Sequence, residues 1–303
     1  METHIFTRDS ILPYNTAVAL GNFDGVHLGH MALFDTVKLR ARDKECRSVV
    51  WTFSSHTMNL LSGGMLPQIC TLEQKSRLFE TLGLDCAVYD DFARVQSMTP
   101  EEFICDVLIR QLRCCEVTVG FDFRFGIGGS GNAAFLRDYL AGKSIGVSVI
   151  DPVVYEGEVV SSTLIRTCIL FGEIERANAL LGRPFSIRLP VVQGRKLGRT
   201  IGVPTINQIF AKGLIIPARG VYVSYCEIDG RRYKGVSNVG VKPTVDGHEL
   251  NCETHILDFG GDLYDRVVEV YFVKKLRDER KFDGVDQLKE QIKRDIETAR
   301  AYD

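Results

Sequence analysis

The chain has 303 residues, 45% hydrophobic and 25% charged, so it can bury a sizeable core as one large or two modest domains. The net charge of -2 offers no bulk attraction to phosphate backbones, and no apolar run approaches the roughly 18 residues that cross a bilayer. We therefore expect no nucleic-acid partner and no membrane segment. The nine cysteines include no CxxC pair and the N-terminus lacks a signal peptide, so we expect reduced, mostly buried thiols and a cytoplasmic location.

Up to about residue 182, predicted strands alternate with predicted helices. The strands are expected at 16–20, 48–53, 86–90 and 116–121, and the helices at 31–42, 71–83, 100–112 and near 132–141. This alternation favours an α/β fold with a doubly wound parallel sheet, in which ligands bind at the carboxyl ends of the strands. A further helical stretch, 164–184, follows them and is ended by Gly182 and Pro184.

Beyond Phe185 the pattern changes to strand after strand, with a hairpin turn expected at Asp229 and Gly230. Consecutive strands without helices predict an antiparallel β-barrel or sandwich, of which we favour the barrel. The tail is the exception, because apolar residues mark one face of a closing helix: Val285, Leu288, Ile292, Ile296 and Ala299. We predict two domains, 1–184 and 185–303.

The first chemical signal is GNFDGVHLGH at 21–30, a glycine-rich turn between a predicted strand and a predicted helix. Backbone N–H groups and the positive end of the helix dipole favour an anion at such a turn, and His27 and His30 can aim imidazole donors at it. The alternative is that the two histidines only cap the helix. The candidate anion-binding residues of the turn are Gly21, Asn22, Phe23, Asp24, Gly25 and Gly29.

The second signal is VSSTLIR at 160–166, where Ser161, Ser162 and Thr163 offer N-capping hydroxyls and Arg166 follows one helical turn later. Phosphate oxygens would suit these hydroxyls and the guanidinium as well. Either segment alone is a weak indication.

In that order, GNFDGVHLGH, GFDFRFG (120–126) and VSSTLIR resemble bacterial FAD synthetase, a nucleotidyltransferase of the HxGH type. The resemblance implies that His27 and His30 steady the triphosphate of ATP while FMN phosphate attacks the α-phosphorus, with Arg166 in the same site. Such a reaction needs positioning and electrostatics more than a covalent nucleophile. The flavin-binding residues implied for this half are His56 in TFSSHT, Asp122, Phe123 and Phe125.

The second half contains VVQGRKLGRTIGVPTIN (191–207), which resembles the riboflavin kinase signature of a glycine-rich loop followed by PTAN. The resemblance implies that Thr205 and Asn207 hold Mg²⁺, which prefers oxygen ligands. Glu253 would accept the proton of the riboflavin 5′-hydroxyl, and Arg277 would lie near the flavin or phosphate. Without the resemblance, Glu253 would be a solvent-facing strand residue. The implied nucleotide-binding residues are Gly194, Gly198, Arg199, Gly202 and Pro204.

The resemblance predicts a bifunctional riboflavin kinase and FMN adenylyltransferase that uses ATP, riboflavin and FMN as small-molecule substrates and Mg²⁺ as cofactor; a homo-oligomer is compatible with the sequence. An alternative is an adenylyltransferase whose barrel is only flavin-binding or structural. It is motivated by Ile206 in PTIN, and by Lys242 and Val245 in GVKPTV where the family has GxRPTF.

A third hypothesis is a flavin carrier or an NAD-linked oxidoreductase, because GIGGSG at 126–131 matches the dinucleotide fingerprint GxGxxG. The insert FDFRF at 121–125 speaks against it, since the fingerprint needs its glycines directly at the strand end. Phe123 and Phe125 could pack on a flat isoalloxazine, and packing in the core is an equally good interpretation.

Overall fold

The computed structural model describes residues 1–54, 66–194, 198, 202–244 and 247–302. Its contacts divide the chain into two compact units. One comprises Met1–Gln68 with Leu72–Ser161, and the other Ile69–Thr71 with Ser162–Asp303. We call them the sheet unit and the barrel unit. Among the helices that the structure describes, none is both long enough and apolar enough to cross a membrane.

The sheet unit is built on a six-stranded parallel sheet with the order β1-β4-β3-β2-β5-β8. The strands are β1 (Glu2–Ile5), β2 (Thr16–Leu20), β3 (Arg47–Phe53), β4 (Cys86–Asp90), β5 (Cys114–Gly120) and β8 (Gly146–Ile150). Two small antiparallel pairs accompany them: β6 (Arg124–Phe125) with β7 (Gly131–Asn132), and β9 (Val154–Tyr155) with β10 (Glu158–Val159). The parallel sheet predicted for this half is therefore confirmed. The short edge strand β1 was not predicted, because its residues are largely exposed and carry no apolar pattern.

Helices cover both faces of this sheet. They are α1 (Leu28–Asp43), α2 (Leu72–Thr81), α3 (Phe92–Val95), α4 (Pro100–Glu102) continuing into the π-helical Phe103–Gln111, and α5 (Ala133–Leu140). Alternate residues of β2 belong to different apolar clusters: Val18 and Leu20 pack with Leu108, whereas Ala17 and Ala19 pack with Phe34. Because side chains alternate across a strand, this division confirms that helices are wound onto both faces.

The chain order places a topological switch point beside β2. From β2 the chain runs through β3 to β4 on one side, then returns to β5 on the other side of β2 and continues to β8. The carboxyl ends of β2 and β5 therefore lie next to each other where the two directions diverge. Ligands of doubly wound sheets bind at such a crevice. The segments 21–27 and 121–126 leave the sheet at these two strand ends.

The barrel unit contains a six-stranded antiparallel sheet with the order β11-β16-β13-β14-β15-β12. The strands are β11 (Phe185–Pro190), β12 (Ile206–Ile209), β13 (Gly220–Ile228), β14 (Arg231–Thr244), β15 (Gly247–Ile256) and β16 (Val267–Arg277). A single bridge between Val192 and Asn207 joins the chain beyond β11 to β12, which nearly closes the barrel. Asp229 and Gly230 both have positive φ, as a two-residue hairpin turn requires, so that predicted turn is confirmed.

Three helices belong to the barrel unit: α6 (Ser162–Phe171), α7 (Ile174–Leu181) and α8 (Val285–Ala301). The side chain of Asn178 on α7 donates to the Phe272 carbonyl of β16 at 2.9 Å and accepts from the Phe185 amide at 2.7 Å. These bonds tie the α7 helix to the barrel. The contacts therefore divide the chain after Ser161. The predicted boundary at 184/185 between two functional domains stays a prediction.

The closing helix α8 lies on the barrel along the predicted apolar face. Ala299 is buried and Ile296 is half-buried, and both pack near Val223 of β13. At the other end of the helix Val285 is 56% exposed, so its place on the buried face was wrong. All nine cysteines are free thiols and six of them are buried, as the sequence predicts.

Candidate functional site

The two histidines of GNFDGVHLGH form a reciprocal cap at the start of α1. His27 is the N-cap residue, with φ -87° and ψ 176°, and its Nδ1 accepts from the His30 backbone N–H at 3.4 Å. In return, the His27 backbone N–H donates to His30 Nδ1 at 3.3 Å. Each imidazole thus does the work that Ser or Thr and Glu do in an ordinary capping box. The capping alternative is confirmed as geometry, and it does not compete with anion binding.

This capping fixes which nitrogen of each ring can donate a hydrogen bond elsewhere. Because Nδ1 of His27 and of His30 accepts from the backbone, the proton of each neutral ring is on Nε2. The two rings are stacked, with centroids 3.5 Å apart and an interplanar angle of 20°. Two Nε2–H donors are therefore presented together at the positive end of α1.

The glycine between the histidines is required by the position of the His27 ring. A Cβ atom on Gly29 would lie 3.1 Å from Cε1 and 3.2 Å from Nδ1 of that ring, which is tighter than ordinary contact. The same Cβ would lie 3.7 Å from the carbonyl oxygen of Val160. The start of the VSSTLIR segment therefore reaches the histidine turn within the sheet unit.

The turn before the histidines has an unusual backbone. Phe23 (φ 49°), Gly25 (φ 79°) and Val26 (φ 45°) are all in the left-handed region. A β-branched residue with positive φ is a rare outlier, and such conformations persist only where packing imposes them. Here Phe23 is buried, and its ring lies 4.9 Å from that of Phe34 and 5.2 Å from that of His30. The turn is thus held rigidly next to the capping rings.

Two buried side chains that sequence reasoning missed bind the carbonyl of Asn22 in this turn. The Lys75 ammonium of α2 donates to it at 2.9 Å, and the Thr52 hydroxyl of β3 donates to it at 3.1 Å. Lys75 is 9% exposed and Thr52 is fully buried. The sequence contains no local signal for either contact, because the partners lie on separate elements far along the chain.

The GFDFRFG segment leaves β5 beside the turn. Phe125 is buried in the core, with its ring 5.3 Å from Phe103, whereas Phe123 is half-buried and stacks on Phe125 at 5.7 Å. Phe121 and Asp122 are exposed. The interpretation as a core residue therefore applies to Phe125, and the Phe123 ring packs on it. Phe121, Asp122 and Phe123 offer the surface that a flavin ring could contact.

The glycines of GIGGSG are the loop of a small hairpin, not a dinucleotide fingerprint. Strands β6 and β7 flank the loop in antiparallel pairing, so an extra hairpin separates β5 from the next helix. Gly131 lies under the ring of Phe125, where a Cβ would come within 2.7 Å of it. The sequence argument against a nucleotide-binding glycine loop at this position agrees with this geometry.

The VSSTLIR segment spans the division between the units. Ser161 ends the sheet unit, and α6 begins at Ser162, as the N-capping hydroxyls predict. Arg166 on α6 is buried, Ser161 and Ser162 are half-buried, and Thr163 is exposed. Their role in binding nucleotide stays a prediction. His56, the remaining flavin residue predicted for this half, lies outside the described residues.

In the barrel unit, Asn207 has the features expected of an oxygen ligand. It is 8% exposed, and its Oδ1 atom is buried and accepts no hydrogen bond from the described part of the chain. Gly194 lies directly against its amide, where a Cβ would come within 2.5 Å of Nδ2. A buried carbonyl oxygen without a donor is costly unless another group satisfies it, and a bound Mg²⁺ would do so.

Glu253 lies directly beside Asn207 on the neighbouring strand of the barrel. The two residues are register partners in β15 and β12, and Asn238 of β14 is the partner of Glu253 on the other side. Opposite residues of an antiparallel pair bring their side chains close together. The half-buried Glu253 carboxylate accepts from Asn251 Nδ2 at 3.1 Å. Burial raises the pKa of the neighbouring Cys252 to about 12, so that residue is a neutral thiol.

In the stretch between Gly194 and Asn207, the described glycines Gly198 and Gly202 have constrained backbones. Gly198 accepts from the Val203 amide at 2.7 Å, and a Cβ on Gly198 would lie 2.2 Å from the Val203 carbonyl. Gly202 has φ +80°, and the Pro204 carbonyl lies 2.7 Å from His255 Nδ1. Arg199 lies outside the described residues. Gly198 is thus needed for close backbone approach to Val203, whereas Gly202 is needed for its positive φ. Approach of the loop to ATP phosphates stays a prediction.

A cavity of about 370 Å³ opens beside this loop. Pro204 and Thr205 form one wall, Thr254 and Ile256 form another, and residues 259–264 close it. Thr205 is half-buried and can present its hydroxyl there. The size is that of a small-ligand site.

Arg277 has a structural partner. Its Nη2 donates to Asp295 Oδ2 at 2.8 Å, and its Nε lies 3.2 Å from both carboxylate oxygens. Asp295 is on α8 and is only 5% exposed. The pair anchors the closing helix to β16, and the predicted contact of Arg277 with flavin or phosphate stays a prediction.

Comparisons with known proteins agree with this division of the chain. A family model described as FAD synthetase matches residues 10–164, and one described as riboflavin kinase matches residues 181–303. A crystal structure described as a macrolide-efflux protein from Streptococcus pneumoniae matches with a TM-score of 0.91 and 34% identity, covering 100% of both chains.

Two curated relatives carry the description bifunctional riboflavin kinase/FMN adenylyltransferase. The one from Bacillus subtilis is 36% identical over 293 residues, covering 95% of this chain and 92% of the relative. The one from Escherichia coli K12 is 37% identical over 292 residues, covering 94% and 92%. With the histidine turn in one unit and the Asn207–Glu253 pair in the other, the chain belongs to the bifunctional riboflavin kinase/FMN adenylyltransferase family.

Proposed function

We propose that this protein makes FAD in two ATP-dependent steps. The barrel unit phosphorylates the 5′-hydroxyl of riboflavin to give FMN, and the sheet unit transfers the adenylyl group of a second ATP to FMN and releases pyrophosphate. The observation that carries the proposal is that one chain holds both a turn rich in hydrogen-bond donors and a strand pair rich in oxygen acceptors. We also propose a cytoplasmic location.

In the adenylyl transfer, the chain contributes positioning and electrostatics. The triphosphate lies at the N-terminus of α1, where Nε2–H of His27 and of His30 donates to phosphate oxygens. An FMN phosphate oxygen attacks the α-phosphorus of ATP in line, and the bond to the pyrophosphate oxygen breaks. The donors stabilise the charge that builds on the departing pyrophosphate. From the resemblance alone, we assign Arg166 a role in the same transfer.

The flavin of FMN is best placed beside Phe123. The segments that follow β2 and β5 border the same switch point, so a flavin bound at the second segment puts its phosphate near the first. The half-buried ring of Phe123, backed by the buried Phe125, gives a flat apolar surface.

In the phosphorylation, the riboflavin 5′-oxygen attacks the γ-phosphorus of ATP while Glu253 accepts the hydroxyl proton. The bond from the γ-phosphorus to the bridging oxygen breaks, and ADP leaves. Thr205 and Asn207 fit a Mg²⁺ ion, because both offer oxygen and the buried Oδ1 of Asn207 is unsatisfied in the described residues. When bound, the ion would neutralise phosphate charge. The monofunctional alternative is not favoured: Ile206 sits in regular register with Thr254, and both halves match their families.

The test is separation of flavins by HPLC after incubation of the purified protein with Mg²⁺ and ATP. Riboflavin should give FMN and then FAD, and supplied FMN should give FAD with one pyrophosphate per FAD. FAD formed only from supplied FMN would support the monofunctional alternative. Hydride transfer from a nicotinamide cofactor without ATP consumption would contradict both.

A further inference from the structure

Lys75 is a buried cation placed under the histidine turn. Lysine is among the residues least often buried, because taking an ammonium out of water is costly. Here the side chain belongs to α2, and its Nζ reaches the Asn22 carbonyl at 2.9 Å. The function proposed for the turn uses its histidines and glycines, and it assigns no role to this lysine.

The bond controls the direction of a backbone N–H group. A peptide unit is planar, so fixing the Asn22 carbonyl also fixes the Phe23 N–H at the opposite edge of the same plane. Phe23 is the first residue of the turn with positive φ, and its ring contacts His30. Fixing the Asn22 carbonyl therefore helps to fix the orientation of the backbone donors of the turn and the position of the His30 ring.

Thr52 binds the same carbonyl and provides an internal comparison. Its hydroxyl donates at 3.1 Å, and both donors lie in the sheet unit. A hydrogen bond from an ammonium is roughly twice as strong as one from a neutral hydroxyl. The ammonium also brings a positive charge into contact with the turn at which the proposed function places the triphosphate.

We propose that Lys75 is a positioning residue for adenylyl transfer, which holds the Asn22–Phe23 peptide in the orientation that receives the ATP phosphates and adds positive potential there. The proposal rests on the function proposed for the sheet unit. It does not place Lys75 in contact with substrate, since its bond is to the protein backbone.

The experiment measures both activities of Lys75→Met, Lys75→Arg and Thr52→Val, together with thermal unfolding. We expect Lys75→Met to lower kcat/KM for ATP in FAD synthesis by roughly 10- to 100-fold, with the KM for ATP rising and the KM for FMN little changed. Lys75→Arg should recover part of the loss because it keeps the charge. Thr52→Val should cost less than about 3-fold, and riboflavin phosphorylation should match the unsubstituted protein in every variant.

Three results would overturn the positioning role. One is a wild-type kcat/KM for ATP in Lys75→Met. The second is an equal loss in Thr52→Val, which would mean that the charge is irrelevant. The third is a parallel loss of riboflavin phosphorylation or of ATP and FMN affinity together, as general destabilisation would give. If the unsubstituted protein makes no FAD from FMN, the proposed function itself fails. That result concerns the unsubstituted protein alone, so it is distinguishable from the three results above.

Discussion

The two regions proposed to bind ATP present opposite hydrogen-bonding groups. The histidine turn of the sheet unit presents donors: two Nε2–H groups, backbone N–H groups and the positive end of α1. The strand pair of the barrel unit presents acceptors: the buried Oδ1 of Asn207 and the carboxylate of Glu253. Donors bind an anion directly, whereas acceptors can approach a phosphate only through a cation or a proton. In the proposed function one substrate is held in these two different ways, so we expect the two sites to fail independently.

Their construction differs as well. The histidine turn is a continuous stretch of sequence whose two histidines cap the helix locally, with Lys75 and Thr52 as anchors from other elements. The barrel site is assembled from β12 and β15, which are neighbours only in the folded sheet. Changes to single residues should therefore separate the two activities.

The largest effect is expected for Glu253→Gln. Glutamine keeps the shape and the bond with Asn251 but cannot take up a proton, so riboflavin phosphorylation should fall by on the order of 10³. FAD synthesis from supplied FMN, measured by HPLC in the same sample, should be unchanged. An undiminished kinase rate would remove Glu253 from its role as base.

The next largest effect is expected for His30→Ala, which removes one preorganised Nε2–H donor and half of the reciprocal cap. FAD formation should fall by on the order of 10² to 10³, while riboflavin phosphorylation stays intact. Initial rates of pyrophosphate release and of FMN formation measure the two activities separately. Equal loss of both would contradict independent sites.

A matched pair of glycine substitutions should give smaller losses, each in a different one of the two activities. The Cβ of Gly29→Ala presses on the His27 ring, and that of Gly194→Ala presses on the Asn207 amide. Each should displace a ligating side chain by less than 1 Å and cost about tenfold in its own activity only. Steady-state rates of both reactions should show that Gly29→Ala loses FAD synthesis and Gly194→Ala loses riboflavin phosphorylation. Loss of the same activity in both variants would contradict two separate sites.

The smallest effect concerns the anchor of α8. Asp295→Asn leaves the guanidinium of Arg277 without its carboxylate in a largely buried place and should destabilise the protein by about 2 kcal/mol in urea unfolding. Asp229→Asn breaks the exposed pair with Arg266 and should leave the midpoint unchanged. FAD synthesis from FMN at low temperature should persist in both. Unchanged stability of Asp295→Asn would favour a flavin or phosphate role for Arg277.

Much of this arrangement is predictable from the sequence because it is local. The strands 16–20 and 86–90 are found as predicted, since buried parallel strands are continuous apolar runs. The histidine turn is likewise recognisable, because a cap involves residues only three apart. The exposed strand β1 was not predicted and the burial of Val285 was wrong, because the apolar pattern is weak at a sheet edge and at a helix end.

The sequence by itself determined the two classes of fold and the histidine turn, because these depend on periodicity and on neighbours a few residues apart. The kinase motifs were located by their resemblance to the family signature. Only the tertiary structure decided that Lys75 and Thr52 share the Asn22 carbonyl, that Phe125 lies in the core and that Arg277 binds Asp295. The physical reason is that these contacts join distant segments. Their energy depends on strand order, register and burial, none of which is encoded by any short stretch of residues.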